Sequence, residues 1–381
     1  MSNLGNIQFN IPYTTHQSLV NVQELIENPV LFSEEKYKKK CKQWFEDRFP
    51  THTAFMTTSC TRAMELIALA LNLQDGDEII LSPFNYVGVV NAFANYGVKP
   101  VFVDIDAATM NIDANQIEAA ITKKTKAIIA MHYASIPCDL KTIRGICDKH
   151  QLILIEDGAH AMNVQYENKL LGSYGDFSCF SFDRLKNISS GEGGVLLCKK
   201  ESKSKIEIAF NNGTNRSIFS KGLVNKYEWI AGGSKFEMSE YVAAVLFPLL
   251  EMSEYITNER IRKWTYLYEQ IGRDEILQKY IPQVLLANKH NAHLAYLKFE
   301  NQEQRDAVLK ELNMQNIPVS FHYISLDNEY YRTKYQVKTI CPVALEESNK
   351  LLRLPMHNYL IESEMDRMVK TLKEAVYCYA H

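Results

Sequence analysis

The sequence predicts an α/β protein of two domains, and three observations support this fold class. Between residues 55 and 200, short apolar runs alternate with longer helical patterns, which is typical of βαβ units around a largely parallel sheet. Past residue 238 the pattern changes to long helices. The chain has 381 residues, 46% of them hydrophobic, a length that favours two domains. We expect a large domain over 1–254 and a smaller C-terminal α/β domain over 255–381, on which residues 1–30 could pack.

The first half of the chain is expected to supply the strands of the large sheet. Short apolar runs predict strands at Glu78–Leu81, Val101–Asp104, Ala127–His132, Leu152–Glu156, Phe177–Phe182 and Gly194–Cys198. Helices are expected between them. Asp113 and Asp139 each precede apolar residues at helical spacing, the position that an N-cap residue takes.

The second half is expected to form a smaller βαβ unit with additional helices. Helical periodicity predicts helices at Ser239–Met252, Tyr255–Ile271, Gln304–Met314 and Ser363–Tyr379. Strands are predicted at His293–Phe299 and Pro318–Tyr323.

Composition narrows the class of partner. The formal net charge is −3, from 42 basic and 45 acidic residues that are well mixed, which disfavours nucleic acid and anionic membranes. No apolar stretch approaches the length of a membrane span, and the N-terminus has no signal-peptide pattern. The eight cysteines form no C-x-x-C pair, as expected of a reduced, cytoplasmic protein. We expect a cytoplasmic protein with small-molecule partners.

An aspartate and a lysine follow two of the predicted strands. Asp157 comes directly after the buried run that ends at Glu156, and Lys186 lies between the next predicted strand and the glycine-rich turn Gly191–Gly194. Pyridoxal 5′-phosphate (PLP) chemistry requires such a pair, because a lysine forms the Schiff base and a carboxylate pairs with the pyridinium nitrogen. Taken alone, Asp157 could equally be a cap or an ion-pair partner, and Lys186 a solvated charge.

Three further groups are suited to the same cofactor. Thr57–Thr61 is rich in hydroxyls and runs into a predicted helix, whose N-terminus attracts phosphate, although Ser59 or Thr61 could simply cap the helix. Ser181 is expected on the phosphate side as well. Tyr86 follows a strand and could stack on a flat ring or belong to the core. His160 could hydrogen-bond the phenolic oxygen of the ring or be structural.

Other chemistries lack local support. The chain has no H-E-x-x-H, no G-x-x-x-x-G-K-[ST] and no G-x-S-x-G motif. Gly191–Gly194 does not have the spacing of a dinucleotide fingerprint, so an oxidoreductase is a weaker hypothesis. We expect no metal site.

Taken together, these residues resemble the DegT/DnrJ/EryC1/StrS sugar aminotransferases, from Asn10 to Pro355. The motifs that carry the resemblance are Pro83–Ala92, Thr109–Asp113, Ile117–Thr122, His132–Ala134, Cys179–Phe182, Lys186–Asn187 and Gly213–Ser217. The resemblance implies a fold-type I PLP-dependent aminotransferase, similar to aspartate aminotransferase, with a mainly parallel seven-stranded sheet in the large domain. It also implies a homodimer with shared active sites.

The resemblance assigns roles to individual residues. Lys186 and Asp157 would be catalytic, Lys186 as the Schiff-base lysine and proton shuttle and Asp157 as the partner of the pyridinium. The residues expected to hold the cofactor are Cys60, Thr61, Arg62, Tyr86, Asp157, His160, Ser181, Lys186 and Lys235. His160 replaces the usual glutamine of the family, and Lys235, in Gly233–Met238, would reach the cofactor phosphate of the other subunit.

The resemblance is strongest to members of the family that make dTDP-4-amino-4,6-dideoxygalactose. It implies transfer of the amino group of L-glutamate to the C4 keto group of dTDP-4-keto-6-deoxy-D-glucose, for a surface polysaccharide such as the O-antigen of lipopolysaccharide. The residues expected at the dTDP-sugar are Arg216, Lys221, Lys226, His322 and Tyr323, although the lysines could be solvated loop charges.

Three alternatives remain open at this point. The same reaction could give the gluco epimer, dTDP-4-amino-4,6-dideoxy-D-glucose. The same machinery could aminate C3 of a 3-keto sugar nucleotide. A PLP-binding regulatory protein without turnover is the alternative from outside enzymes, and the presence of both Asp157 and Lys186 argues against it.

Overall fold

The computed structural model describes residues 6–337 and 340–379. Its strands are β1 His52–Thr57, β2 Glu78–Leu81, β3 Lys99–Phe102, β4 Thr125–Met131, β5 Ile153–Asp157, β6 Gln165–Tyr166, β7 Lys169–Leu170, β8 Phe177–Ser181, β9 Gly194–Lys199, β10 Ala295–Lys298 and β11 Leu351–Leu354. A seven-stranded sheet has the order β1-β9-β8-β5-β4-β2-β3. In it β9 runs antiparallel to both of its neighbours, and the other pairs are parallel. The predicted α/β fold with a mainly parallel seven-stranded sheet is confirmed.

Helices cover the sheet and form most of the second half. The α-helices are α1 His16–Glu27, α2 Val30–Glu34, α3 Lys36–Arg48, α4 Cys60–Ala70, α5 Val87–Ala94, α6 Ala114–Ile117, α7 Leu140–His150, α8 Lys203–Phe210, α9 Arg216–Phe219, α10 Glu240–Glu251, α11 Ser253–Gly272, α12 Gln283–Ala287, α13 Gln302–Met314, α14 Glu329–Tyr335, α15 Pro342–Lys350 and α16 Glu362–Tyr379. Short 3₁₀ turns lie at Glu118–Ala120, Tyr133–Ser135, Lys200–Ser202 and Leu277–Tyr280. In the described part of the chain, we find no helix with the length and apolar character needed to cross a membrane.

The two faces of the sheet pack into different cores because successive side chains of a strand point to opposite faces. In β9, Leu196 belongs to a core that includes Leu66 of α4, while Leu197 belongs to a core that includes Phe45 of α3 and Leu246 of α10. Because both faces are covered, the strands are continuous apolar runs, which is why most of them could be recognised in the sequence.

Two predicted N-caps are confirmed. The carboxylate of Asp113 accepts a hydrogen bond from the backbone N–H of Asn115, and that of Asp139 accepts one from the N–H of Thr142. In each helix an otherwise orphan donor of the first turn is satisfied.

One predicted strand is wrong. The segment Pro318–Tyr323 forms only an isolated bridge, between Ser320 and Arg353. Tyr323 has a positive φ of 41°, which lies outside the extended region, and Pro318 has no N–H to donate to a ladder. The antiparallel partner of β10 is instead β11, so the C-terminal unit is not a βαβ unit.

The N-terminal segment contacts residues from both halves of the chain. Phe9 accepts a hydrogen bond from the N–H of Met356 at 3.3 Å through its carbonyl oxygen, and the N–H of Thr14 donates to Tyr359 Oη at 3.2 Å. Further along, Asn21 in α1 donates to the carbonyl of Ala244 in α10. The division into domains 1–254 and 255–381 stays a prediction.

Candidate active site

The carboxyl ends of several strands meet at one edge of the large sheet. Asp157 is the last residue of β5, Ser181 ends β8, and α4 begins three residues after β1 ends at Thr57. A cavity of about 530 Å³, here called the cleft, opens at this edge. The predicted site residues that line it are Cys60, Thr61, Tyr86, Asp157, His160, Ser181, Lys186, His322 and Tyr323.

Asp157 and Lys186 change each other's protonation in the cleft. Asp157 is 2% exposed, and its Oδ1 accepts a hydrogen bond from the N–H of Ala159 at 3.0 Å. Burial raises the pKa of Asp157, while the Ala159 N–H and the charge of Lys186 offset part of the rise. Burial lowers the pKa of Lys186, and the charge of Asp157 offsets part of that fall. A lysine with a lowered pKa is a better nucleophile and base at neutral pH.

A buried hydrogen-bonded pair, absent from the sequence predictions, lies at the end of β5. Glu156 and His132 are fully buried, and His132 Nε2 lies 3.1 Å from the Glu156 carboxylate. Because His132 Nδ1 accepts a hydrogen bond from the N–H of Cys138, Nε2 carries the proton and donates to Glu156. The same carboxylate accepts from the backbone N–H groups of Gly172 and Gly175 at 2.8 and 2.6 Å.

We expect Glu156→Gln to lower the free energy of unfolding by about 2 to 3 kcal/mol at pH 7, since an amide cannot accept all of these hydrogen bonds. Burial raises the pKa of Glu156, but the hydrogen bonds from His132, Gly172 and Gly175 outweigh it and bring the pKa below its ordinary value. The stabilisation is therefore present above the ordinary glutamate pKa and is lost as the pH falls through the lower folded value.

Chemical denaturation at pH 7 and at lower pH checks this prediction. The difference between wild type and Glu156→Gln should shrink below a pH of about 4. Glu269→Gln, at an exposed position of α11, is the matched control and should change stability by less than about 0.5 kcal/mol. An equal loss in both variants would contradict the assignment of Glu156.

The start of α4 and the start of β9 form a tight cradle. Ser59 is the N-cap of α4, and its hydroxyl accepts a hydrogen bond from the N–H of Arg62 at 3.1 Å, so the capping interpretation of Ser59 is correct. A Cβ added to Gly194 would lie 2.4 Å from the backbone nitrogen of Cys60, so only glycine lets β9 pass so close to the helix. The hydroxyls of Thr61 and Ser181 line the cleft beside this cradle.

Tyr86 lies in the cleft, whereas Phe84 belongs to the core. Phe84 is 1% exposed, whereas Tyr86 is 55% exposed and lines the cleft. A Cβ added to Gly88 would lie 2.4 Å from the Tyr86 ring and 3.0 Å from Thr61 Oγ1. The absence of a side chain at Gly88 therefore leaves the space in which the Tyr86 ring lies.

Three histidines surround the inner part of the cleft. The ring centroids of His160 and His293 are 4.2 Å apart, and those of His160 and His322 are 5.9 Å apart. Burial, together with neighbouring positive charges, lowers the pKa of all three well below the ordinary value, so they are neutral at pH 7. Because all three lack charge, the hydrogen-bond partners of each ring decide which nitrogen carries its proton.

The ring of His160 has one hydrogen bond. Its Nε2 lies 3.3 Å from Tyr323 Oη, and burial raises the pKa of that phenol, so Tyr323 stays protonated and its hydroxyl can donate to Nε2 or accept from it. The other ring nitrogen, Nδ1, is a buried atom without a hydrogen-bond partner among the described residues. An unpartnered buried polar atom beside the cleft calls for a partner in a bound molecule.

The residues next to Lys186 are fixed by a second set of hydrogen bonds. Asn187 Nδ2 donates to the carbonyl of Asn291 at 2.8 Å, and Asn187 Oδ1 lies 3.0 Å from His293 Nδ1. Since the amide oxygen can only accept, His293 Nδ1 donates. Asn291 in turn donates to the carbonyl of His160 at 2.9 Å. These bonds hold Lys186 and His160 at a fixed spacing.

Five of the predicted residues do not line the cleft in this single chain: Arg62, Arg216, Lys221, Lys226 and Lys235. All are exposed. Arg62 forms an ion pair with Glu65 of its own helix. Their roles therefore stay predictions.

Among the cleft residues without a predicted role, His293 and Arg353 lie in the C-terminal part of the chain. Each comes from a segment more than 100 residues after Lys186 or Asp157 along the chain. Arg353 did carry a signal, because it is a charged residue within the apolar run Leu351–Leu354.

The residues of the cleft fit PLP. Lys186 offers the amine and Asp157 a buried carboxylate, while the cradle at Gly194 and the hydroxyls of Thr61 and Ser181 suit a phosphate. The unpartnered Nδ1 of His160 suits a hydrogen bond with a polar group such as a phenolic oxygen.

Comparison with known proteins identifies the family to which the chain belongs. A model of the DegT/DnrJ/EryC1/StrS aminotransferase family matches residues 12–373. An uncharacterized protein of Methanocaldococcus jannaschii is 33% identical over 347 residues, which cover 88% of this chain and 89% of that protein. The spore coat polysaccharide biosynthesis protein SpsC of Bacillus subtilis is 28% identical over 389 residues, 97% of each chain.

A solved structure has the same fold over nearly the whole length. The putative sugar aminotransferase of Streptococcus pneumoniae, in its PMP form, superposes with a TM-score of 0.85 at 23% identity. The match covers 98% of this chain and 99% of that one. The likeness shows that the chain has the fold of that structure.

Proposed function

Because the chain belongs to the DegT/DnrJ/EryC1/StrS family of PLP-dependent aminotransferases, we propose that it transfers the amino group of L-glutamate to C4 of dTDP-4-keto-6-deoxy-D-glucose. The products are dTDP-4-amino-4,6-dideoxy-D-galactose and 2-oxoglutarate. The observation that carries the proposal is the meeting of Lys186 and Asp157 in one cleft. A sugar acceptor is supported by the motif Gly213–Ser217 and by two relatives whose names refer to polysaccharide synthesis or a sugar.

Lys186 and Asp157 divide the chemistry between them. When bound, PLP supplies an aldehyde for the amino group and a ring that takes up electrons from the donor's α-carbon. Asp157 holds a proton at the ring nitrogen by its negative charge. Lys186 Nζ would hold the cofactor and, as a free neutral amine, would serve as the base that accepts the proton of the donor's α-carbon. Burial favours this role, because it lowers the pKa of Lys186 and leaves more of the amine neutral.

The remaining predicted residues are assigned to binding the cofactor and the sugar nucleotide. Cys60, Thr61, Arg62 and Ser181 hold the phosphate, and Tyr86 stacks on the ring. His322 and Tyr323 face the sugar, while the loop cations Arg216, Lys221 and Lys226 bind its diphosphate.

In a homodimer, side chains that lie far from the cleft of their own subunit would contact the cleft of the other subunit. The loop from α9 to residue 230 exposes large apolar side chains, with Leu223 72% and Trp229 81% exposed. Exposed apolar patches of this kind mark protein interfaces. In the proposed dimer this loop and Lys235 reach the cleft of the partner subunit. The enzyme would act in the cytoplasm, in the synthesis of a surface polysaccharide.

The Tyr323–His160 hydrogen bond gives a spectroscopic prediction. If His160 Nδ1 donates to the phenolic oxygen of the cofactor, it stabilises the negative charge there, which is greatest when the lysine–cofactor link is unprotonated. In that arrangement Tyr323 Oη donates to His160 Nε2, so Tyr323→Phe removes the donor that would fix the tautomer. We expect it to raise the pH midpoint of the visible band by about 0.5 to 1 unit, the equivalent of one hydrogen bond.

A pH titration of the PLP-loaded proteins checks this prediction. Tyr330→Phe, at an exposed position of α14, is the matched control and should leave the midpoint unchanged. A midpoint that falls or does not move in Tyr323→Phe would contradict the proposed tautomer of His160.

The proposed reaction is tested by the structure of its product. The protein is incubated with dTDP-4-keto-6-deoxyglucose and ¹⁵N-labelled L-glutamate, and the product is assigned by NMR. We expect the label on C4 in the axial (galacto) position. An equatorial amine would indicate the gluco epimer, and no label at C4 would refute C4 amination. The same incubation with Lys186→Ala should give no product.

A further inference from the structure

A second, much smaller cavity shares part of its lining with the cleft. Its volume is about 10 Å³, which is close to what a single water molecule requires. Lys186 and His293 line both the cleft and this small cavity, and Asn187 lines the small cavity only. A water molecule in the small cavity would therefore be within reach of the side chains of both Lys186 and His293.

The hydrogen bonds of His293 determine which of its ring nitrogens carries the proton. Asn187 Nδ2 donates to the carbonyl of Asn291, so the atom of Asn187 that lies 3.0 Å from His293 Nδ1 is the amide oxygen, which can only accept. His293 Nδ1 therefore donates. Burial and neighbouring positive charges lower the pKa of His293 well below its ordinary value, so at pH 7 the ring carries this one proton. His293 Nε2 is then an unprotonated acceptor.

The acceptor of His293 and the amine of Lys186 are both without partners. Within residues 6–337 and 340–379, the hydrogen bond to Asn187 is the only one that the His293 ring forms, and Lys186 Nζ forms none. The ring cannot easily turn away, because its centroid lies 4.2 Å from that of His160 and its backbone N–H donates to Asn291 Oδ1 at 3.0 Å. A free acceptor and free donors thus belong to residues that line the same small cavity.

Lys186 needs such an acceptor most when it is charged. As the proposed base, its amine becomes an ammonium group with three N–H donors when it accepts the α-proton. A buried cation without acceptors is unfavourable. The charge of Asp157 stabilises the ammonium form, but in the proposed function that carboxylate is engaged at the ring nitrogen of the cofactor. His293 Nε2 offers an acceptor that remains free and that brings no second charge into the site.

We propose that the small cavity holds one water molecule, which accepts a hydrogen bond from the amine of Lys186 and donates one to His293 Nε2. His293 is then a positioning residue that acts on Lys186 through this water. The inference rests on the proposed role of Lys186 as the base.

Other charged and titratable groups also act on the two residues, but they stay in place when His293 is replaced. The groups that raise the pKa of Lys186 are Asp157, Cys60 and Asp183, and Arg353 lowers it. The groups that face His293, besides Lys186, are His160, His322, Arg260 and Arg353.

Two substitutions separate the two nitrogens of His293. His293→Asn places an amide nitrogen near the position of Nδ1 and can keep the bond to Asn187, but it has no atom at the position of Nε2. His293→Gln brings an amide oxygen to the position of Nε2 but leaves Asn187 without its donor. We expect His293→Asn to lower the pKa of the Lys186 amine by about 0.5 to 1 unit, the equivalent of one hydrogen bond to the charged form. His293→Gln should lower it by less than about 0.3 unit.

The pKa of Lys186 is measured on the full-length protein freed of PLP. The rate at which acetic anhydride acetylates Lys186 is followed against pH by mass spectrometry, which requires neither cofactor nor turnover. In the PLP-loaded protein, the rate at which L-glutamate bleaches the visible band should fall by roughly threefold to tenfold in His293→Asn, the same shift expressed as a rate. His16→Asn, at the exposed first residue of α1, is the matched control and should change neither quantity.

An unchanged pKa of Lys186 in a folded His293→Asn protein overturns the inference. A larger fall in His293→Gln than in His293→Asn also overturns it, because His293 would then act only through its bond to Asn187. If His293→Asn does not fold, His293→Gln decides: a Lys186 pKa near that of wild type supports the inference, and a fall of 0.5 unit or more refutes it. A wild-type protein that does not respond to L-glutamate would contradict the proposed function, while the acetylation titration still decides whether the water links Lys186 to His293.

Discussion

Lys186→Ala is expected to abolish transamination, with a loss of turnover of about a thousandfold or more. The variant lacks both the amine that links to the cofactor and the base that moves the α-proton. Borohydride reduction followed by mass spectrometry should find one PLP added to the wild-type chain and none to the variant.

Lys310→Ala is the matched control for this experiment. Lys310 is exposed on α13, and its removal should leave PLP attachment and turnover unchanged. Wild-type turnover in Lys186→Ala, or a PLP adduct on a different lysine of the wild-type protein, would contradict the assignment of Lys186.

Asp157→Asn is expected to have the second-largest effect, lowering the rate of the glutamate half-reaction by about a hundredfold to ten-thousandfold. The amide has the same shape but no charge, so it cannot hold a proton at the ring nitrogen. Because burial already disfavours the charged form of Asp157, loss of that charge should lower the free energy of unfolding by no more than about 1 kcal/mol.

Stopped-flow absorbance and chemical denaturation separate these two effects. The charge of Asp157 also raises the pKa of Lys186, so the asparagine variant should have a still lower pKa at that amine. Asp148→Asn, at a side chain that is 67% exposed, is the control and should change neither rate nor stability appreciably. A rate loss in Asp157→Asn no larger than in the control would remove Asp157 from the mechanism.

The fold could be predicted where burial leaves a continuous apolar run. Strand β2 lies at Glu78–Leu81 as expected, and the other predicted strands of the large sheet differ from the observed ones by a few residues at their ends. Strand β1, His52–Thr57, was not predicted, because its polar residues interrupt the apolar pattern although all six residues are buried. The strand prediction at Pro318–Tyr323 was wrong because it relied on local β propensity, which does not indicate that Tyr323 adopts a positive φ.

The site could be predicted where its residues follow a strand or open a helix. Asp157, Tyr86 and Lys186 have local signals of this kind, and the fold brings them to one edge of the sheet. His293 and Arg353 could not be placed in the same way, because they reach the cleft from the C-terminal segment through long-range contacts. Groups that the proposed homodimer would bring from a second subunit cannot be located from the sequence pattern of one chain.

The most direct test of the account is a sequential titration of the purified, PLP-loaded protein followed by visible absorbance. L-glutamate alone should bleach the band and release 2-oxoglutarate, and dTDP-4-keto-6-deoxyglucose added after removal of the amino acid should restore the band while an aminated sugar nucleotide forms in equal amount. A band that does not respond to glutamate, or that the keto sugar fails to restore, would contradict the proposed aminotransferase reaction.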